Sequence, residues 1–144
     1  MKETTLVLLK PDAVQRKLSG EIILRFDQKD LQIIGLKMLR LSKDQAEKHY
    51  AEHCGKPFFP RLVEFITSGP LIAIAVQGDN AVQIVRRMMG STDPAVAHPG
   101  TIRGDYALTM ERNVIHASDS LESAARELRL FFLEHELFGI DGGI

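Results

Sequence analysis

Two stretches limit the fold more than anything else in the chain. TTLVLL at 4–9 and LIAIAVQ at 71–77 are apolar almost throughout, yet too short for a buried helix. Runs of that length and branching read as strands covered on both faces. The first ends at Lys10-Pro11, since proline has no N–H to give to a sheet ladder. Between the two, Ile34, Leu36 and Met38 alternate with Gly35 and Lys37, so a strand is predicted over 31–41. Tyr106, Leu108 and Met110 alternate in the same way and predict a fourth strand.

Helices are expected in the gaps. Ile22, Ile23 and Phe26 recur at helical spacing within 20–29. Ser42 with Gln45 is a capping-box pattern opening a helix to about His53. Phe59, Leu62, Val63 and Ile66 mark another, closed by Gly69-Pro70. Asp79 is the expected cap of a helix carrying Ala81, Ile84, Val85 and Met88. Asp119 with Glu122 is a second capping-box pattern. It opens a last helix whose stripe is Leu121, Ala124, Ala125, Leu128 and Phe132. Four strands with crossover helices suggest a ferredoxin-like βαββαβ sandwich of the α+β class, a four-stranded antiparallel sheet covered by helices.

At 144 residues the chain suits a single domain, 1–144, with its own core. No apolar run approaches the roughly 18 residues that cross a bilayer. The N-terminal run is too short for a signal peptide and lacks a small-residue cleavage site. One cysteine, Cys54, cannot form an internal disulfide, and the cytoplasm is the expected compartment. Cys54 itself reads as a small packing residue. The segment 90–104, GSTDPAVAHPGTIRG, has no period and reads as a long loop of the functional or disordered kind. Gly139 and the Gly142-Gly143 pair are expected to end the chain loosely.

Five histidines carry most of the candidate chemistry. His49 and His53 stand four apart, a metal-ligand spacing, but no third ligand accompanies them and an exposed polar face is the expected reading. His98 and His135 are expected in solvent. His116, in NVIHASDS at 113–120, is expected after a strand and just before a helix start, where free N–H groups and the dipole favour phosphate. Glu127 lies at the edge of the last apolar stripe. A buried carboxylate wants a partner, and an imidazole is a good one. Lys10, Arg86 and Arg103 fall at element ends and would suit a phosphate chain if they converge. Spacing alone does not show that they converge, and read individually each is expected to be a solvated surface charge. Neither GxxxxGK[ST] nor GxGxxG is present, which argues against P-loop and dinucleotide folds.

NVIHASDS, Lys10-Pro11-Asp12, HPGTIRGDYA (98–107) and PFFPRLVEFITSGP (57–70) together resemble the nucleoside diphosphate kinases, in matching order and spacing from Thr4 to about Phe132. That resemblance implies ping-pong transfer of a γ-phosphate from a nucleoside triphosphate to a nucleoside diphosphate through a phosphohistidine at His116. Position by position, Lys10 matches the lysine at the phosphates and the sugar 3′ hydroxyl. Tyr50 matches the tyrosine packed near the histidine and lysine. Phe58 matches the aromatic that stacks on the base, with Leu62 lining the slot and Met110 at its edge, where a valine is common. Arg86, Thr92 and Arg103 match phosphate-binding groups, and Asn113 the amide at the sugar hydroxyl. Ser118 and Glu127 match the groups that orient and polarise the histidine.

The resemblance also implies ATP and other nucleoside di- and triphosphates as partners. Mg²⁺ is expected to arrive on their phosphates, since the chain offers no carboxylate cage. It implies a homo-oligomer, tetramer or hexamer, assembled through the sheet edge and the long loop. Ala117 replaces the glycine usual after the histidine, so the backbone there must avoid a strongly positive φ. The short stretch after Phe132 lacks the longer tail of many eukaryotic members and looks more like a bacterial one. Two rival roles are a nucleic-acid-binding module and an inactive member with a binding or regulatory role. Net charge −1 and 6% aromatic residues argue against nucleic acid as the main partner. The presence of every matched site residue argues against an inactive member.

Overall fold

The structure is a computed structural model that describes residues 2–139; the Gly142-Gly143 pair lies outside them. Strands β1 (Lys2–Leu9), β2 (Gln32–Leu39), β3 (Leu71–Asp79) and β4 (Ile115–Ala117) form one antiparallel sheet in the order β2-β3-β1-β4. Helices α1 (Pro11–Gln15) and α2 (Ser19–Gln28) join β1 to β2. Helices α3 (Lys43–His49) and α4 (Phe59–Ile66) join β2 to β3. Helices α5 (Ala81–Met89) and α6 (Ile102–Tyr106) lead to β4, and α7 (Leu121–Phe131) follows it. This is the ferredoxin-like arrangement that the sequence suggests.

Both faces of the sheet are covered, which is why the successive apolar residues 6–9 and 71–76 of the two central strands are all buried. On β1 the side chains alternate. Val7 and Leu9 join Ile22 and Phe26 of α2 and Val85 and Met89 of α5 in one core. Leu6 and Leu8 join Ala46 of α3, Ile66 of α4 and Leu128 and Phe131 of α7 in the other. Removing Leu8 down to alanine in so tight a layer costs about 2–5 kcal/mol.

Helix starts are specified by local hydrogen bonds. The Ser42–Gln45 capping box is present in both directions, at 3.1 and 2.9 Å. Helix α3 nevertheless ends at His49, and Ala51–His53 continues as a 3₁₀ turn. Asp79 does not cap α5: it is the last residue of β3, and Asn80, at φ 55°, takes the cap position. Asp119 is displaced by one residue too, because the Ser120 hydroxyl accepts the Ser123 N–H at 3.1 Å. On α7 the buried stripe is Ala124, Glu127, Leu128 and Phe131, while Leu121 and Ala125 are exposed.

The predicted fourth strand at 106–110 does not exist. Tyr106 closes α6, and Leu108 and Met110 are exposed on a loop. The true strand is shorter and later. Val7, Leu8 and Leu9 pair with Ala117, His116 and Ile115. His116 therefore lies within a strand, not after one. The aperiodic segment 90–104 also runs into α6, whose first turn is capped by the Thr101 hydroxyl accepting the Gly104 N–H. Gly104 sits so close to the His98 carbonyl that no Cβ fits there.

Candidate active site

Ile115 and Ala117 belong to the α2/α5 core, so strand alternation turns His116 to the opposite face, towards α3 and α7. There its Nε2 lies 3.0 Å from Glu127 Oε1. Glu127 is 4% exposed on α7. Its Oε1 also accepts the Ser118 hydroxyl at 2.7 Å, and the Leu6 N–H donates to the Ser118 oxygen at 3.3 Å. Burial pushes the Glu127 carboxyl up, but the hydrogen bond and charge of His116, with Ser118 and His49, outweigh it. The carboxyl is held below its ordinary range. Arg126 offers a longer contact at 3.7 Å to the other oxygen.

Lys10 follows β1 immediately and is 8% exposed, not a solvated charge. Its ammonium donates to Asn113 Oδ1 at 2.8 Å. Burial, and next the neighbouring Arg103, lower its pKa to about 8 against the opposing pull of Asp12. Arg103 is buried as well. Its guanidinium donates to the Ile115 carbonyl at 2.7 Å and to the Gly90 carbonyl at 3.4 Å. Burial, with Arg86 beside it, lowers Arg103 to about 10. Arg86 reaches in from α5 to the Ala117 carbonyl at 3.3 Å. These three cations line one cleft, together with the carboxylates of Glu52, Glu111, Asp119 and Glu127.

Asn113 is held by a tight turn. The Ile115 N–H donates back to the Asn113 carbonyl at 2.8 Å, and Val114 between them has φ 64°. That is a strained backbone for a β-branched residue. The Val114 carbonyl accepts the Lys10 N–H at 2.9 Å, which ties the turn to the end of β1. Ala117, by contrast, is in regular strand pairing with Val7 and is not among the positive-φ residues. Alanine therefore fits where glycine was the usual residue.

These groups open on one cleft of about 530 Å³. Buried Lys10, Arg103 and Asn113 line it with half-buried His116 and the exposed Arg86 and Thr92. Phe58, 44% exposed, stands at the mouth with Leu62 and Met110. His53 packs on Phe58 with ring centroids 5.4 Å apart, and Lys56 lies over the same ring at 5.8 Å. Tyr50 lines the inner end; burial and then Glu127 raise its phenol to about 12, so it stays protonated. Ser118 does not reach the cleft and acts from behind Glu127. Every matched residue is thus in or directly behind one cavity.

Some sequence readings fail here. His49 is 3% exposed, not on a polar face, and His53 is half-buried at the cleft. The signal for His49 was available: Ala46, His49 and Tyr50 share one helical face, and all three are buried. Cys54 is exposed and packs nothing. The Asp12 carboxylate accepts the Val114 N–H at 3.2 Å, a contact that no local sequence pattern signals. His98 and His135 are in solvent as expected.

Ligand atoms of His49, His116 and Glu127 lie within 4.8 Å of one another. Donors around one bound zinc sit closer, roughly 3.4 Å apart for bonds near 2.1 Å. The trio, with His116 only partly buried, spans up to 4.8 Å, and Lys10 and Arg126 add positive charge nearby. It reads as an arrangement for protons and ring orientation rather than for an ion.

The family model described as nucleoside diphosphate kinase matches residues 3–137. A nucleoside diphosphate kinase of Methanocaldococcus jannaschii is 58% identical over 96% of this chain and 99% of its own length. One of Saccharolobus solfataricus is 56% identical over 94% and 98%. Among solved structures, a halophilic nucleoside diphosphate kinase from Halobacterium salinarum in complex with CDP superposes with a TM-score of 0.94. It is 47% identical over 96% of this chain and 93% of that one. The Aquifex aeolicus enzyme superposes at 0.91 with 40% identity over 95% and 99%. The chain belongs to the nucleoside diphosphate kinase family.

Proposed function

We propose that this kinase works by ping-pong transfer through a phosphohistidine at His116. The observation that carries the reading is the 3.0 Å contact between His116 Nε2 and Glu127. An ionised carboxylate only accepts, so the proton sits on Nε2 and the Nδ1 lone pair is available. Nδ1 takes no hydrogen bond among the described residues. It attacks the γ-phosphorus of a nucleoside triphosphate. The bond from phosphorus to the bridging oxygen breaks, and its electron pair leaves with the diphosphate. A second nucleoside diphosphate then takes the phosphoryl group by the reverse step.

Lys10, Arg86, Arg103 and Thr92 hold the phosphates, and most of the catalysis is positioning and charge neutralisation. Asn113 holds the sugar hydroxyl. Phe58 stacks on the base with Leu62 and Met110 at the slot's edges, a contact that favours no one base strongly. Tyr50 packs beside the reacting ring. The crystallised relative that holds CDP supports a nucleotide in this cleft.

Mg²⁺ fits as a passenger on the nucleotide. The only buried carboxylate lining the cleft is Glu127, which His116 and Ser118 already occupy. When bound, the ion supplies charge neutralisation between phosphate oxygens. The partners are ATP and other nucleoside di- and triphosphates. The chain acts as a single domain, in the cytoplasm, within a homo-oligomer of four or six copies. The outer strand β2 supports assembly through the sheet edge, because Leu36 is 52% and Met38 60% exposed on it. No helix among the described residues is long and apolar enough to cross a membrane.

Incubation with γ-labelled ATP tests the mechanism. An acid-labile, alkali-stable label that vanishes in His116→Ala and passes to added diphosphates is expected. A folded protein that takes no label overturns the reading and favours an inactive member with a binding role.

A further inference from the structure

His49 is the buried group beside the active site that this mechanism leaves unused. It is 3% exposed at the end of α3, and neither ring nitrogen has a hydrogen-bond partner among the described residues. Its ring meets the His116 ring edge-on, with centroids 4.7 Å apart at 82°. Tyr50 stands 4.7 Å away at 58° and Phe131 5.5 Å away at 85°. One nitrogen of His49, one of His116 and one Glu127 oxygen lie within 4.8 Å of one another. His49 is not among the residues lining the nucleotide cleft.

A phenylalanine would make the same ring contacts without burying two unpaired nitrogens, and burying them costs stability. Packing alone therefore does not account for an imidazole here. We infer that His49 is a positioning residue for phosphoryl transfer: its ring walls in His116 edge-on and turns a spare nitrogen towards the His116–Glu127 pair, holding that pair in one orientation while the phosphoryl group forms on the other nitrogen of His116. The inference rests on the proposed role of His116.

The groups that face His49 are few. Lys10 comes from the end of β1, Tyr50 from the turn after α3, His116 from β4, and Arg126 and Glu127 from α7. Burial, then the charge of His116, lowers His49 to about 3, and Glu127 pulls weakly the other way. A neutral ring supplies a dipole and a hydrogen-bonding site without competing as a cation for the Glu127 carboxylate. During transfer the Nε2–H of His116 stays on Glu127 while Nδ1 gains the bond to phosphorus. A hydrocarbon wall would leave the pair free to tilt.

The test compares wild type, His49→Phe, His49→Gln and His116→Ala in the full chain. Expected is that His49→Phe folds with undiminished thermal stability and keeps its nucleotide KM. Its kcat falls roughly 10- to 100-fold, the scale of a misplaced reacting group, and its pH–kcat profile shifts. His49→Gln, which restores a hydrogen-bonding group of similar reach, recovers part of the rate. A folded His49→Phe with wild-type kcat and pH profile overturns the inference, and so does a loss confined to KM. If His116→Ala still forms phosphoenzyme, the reading of His116 itself has failed. If only His49→Phe behaves as wild type, that reading stands and this one falls.

Discussion

The Val114 N–H donates to Asp12 Oδ2 at 3.2 Å, across 102 positions of sequence. This bond pins the strained turn that presents Asn113 to Lys10. Asp12→Ala leaves a buried N–H unpaired, a loss of about 1–3 kcal/mol. It also frees Asn113, so kcat/KM should fall with the unfolding midpoint in urea. Wild-type kcat/KM in a destabilised Asp12→Ala would detach the turn from function.

Lys10 has a pKa lowered to about 8, by burial first and Arg103 second. Its charge is present below that pH and lost above it. Because kcat/KM reports the free enzyme, it should decline as pH rises through about 8. Lys10→Arg, which stays charged, should show no such limb whatever its absolute rate. Steady-state kinetics from pH 6 to 10 decide this, and a flat wild-type profile would contradict it.

Glu127→Gln exchanges a pure acceptor for an amide that also donates. An amide N–H aimed at Nε2 stabilises the tautomer with its proton on Nδ1, the wrong one for attack. A wrong-tautomer defect is expected to cost on the order of 100-fold or more in kcat. Nucleotide KM should change little. The rate of phosphoenzyme formation in a rapid-quench experiment measures it directly.

His49 gives a pH dependence of stability whose sign is fixed. Its folded pKa is lowered to about 3, by burial first and then His116, while the unfolded ring titrates near 6.5. As pH falls from about 6.5 towards 3 the unfolded chain takes the proton and the folded one does not. The fold is thus progressively weakened across that window and gains from this group only above it. Urea titrations should show the His49→Phe variant losing part of that acid sensitivity. Parallel curves for the two proteins would refute the depressed value.

Ala117 offers a small, clean comparison. It occupies an ordinary strand conformation paired with Val7. Ala117→Gly should lower stability by roughly 0.5–1 kcal/mol, the usual backbone cost, and leave kcat unchanged. A large gain in kcat would show that the methyl group burdens the site.

The sheet was legible where length and alternation agreed. β1 and β3 carry runs of six or more buried residues that their sequence advertises, whereas on β2 only Ile34 and Gly35 are buried and Leu36 and Met38 of the alternating set are exposed. β4 was not legible, because Ile115-His116-Ala117 is too short to show a period, and its identity rests on pairing with β1 over a distance no local pattern records. The alternation at Tyr106, Leu108 and Met110 was accidental; two of those side chains are exposed near the cleft. Cap assignments missed by one residue at Asp79 and Asp119, since neighbouring polar residues compete for the same N–H groups. The residues matched by motif resemblance line one cleft or, for Ser118, stand behind Glu127. His49 was expected on an exposed polar face and Asp12 carried no expectation of its own, because their contacts with His116 and Val114 join distant segments, which the linear chain conceals.

The three-residue length of β4 makes the catalysis a matter of parity. Ile115 and Ala117 face one layer and His116 the other, so one inserted residue between Ile115 and Ser118 would swap them. The imidazole would then point into hydrocarbon and an aliphatic side chain at the phosphates, with the sheet still closed. The exposed loop at 107–112 imposes no such odd–even rule, and insertions there change only the rim of the cleft. An engineer lengthening this protein has freedom on one side of Asn113 and almost none on the other.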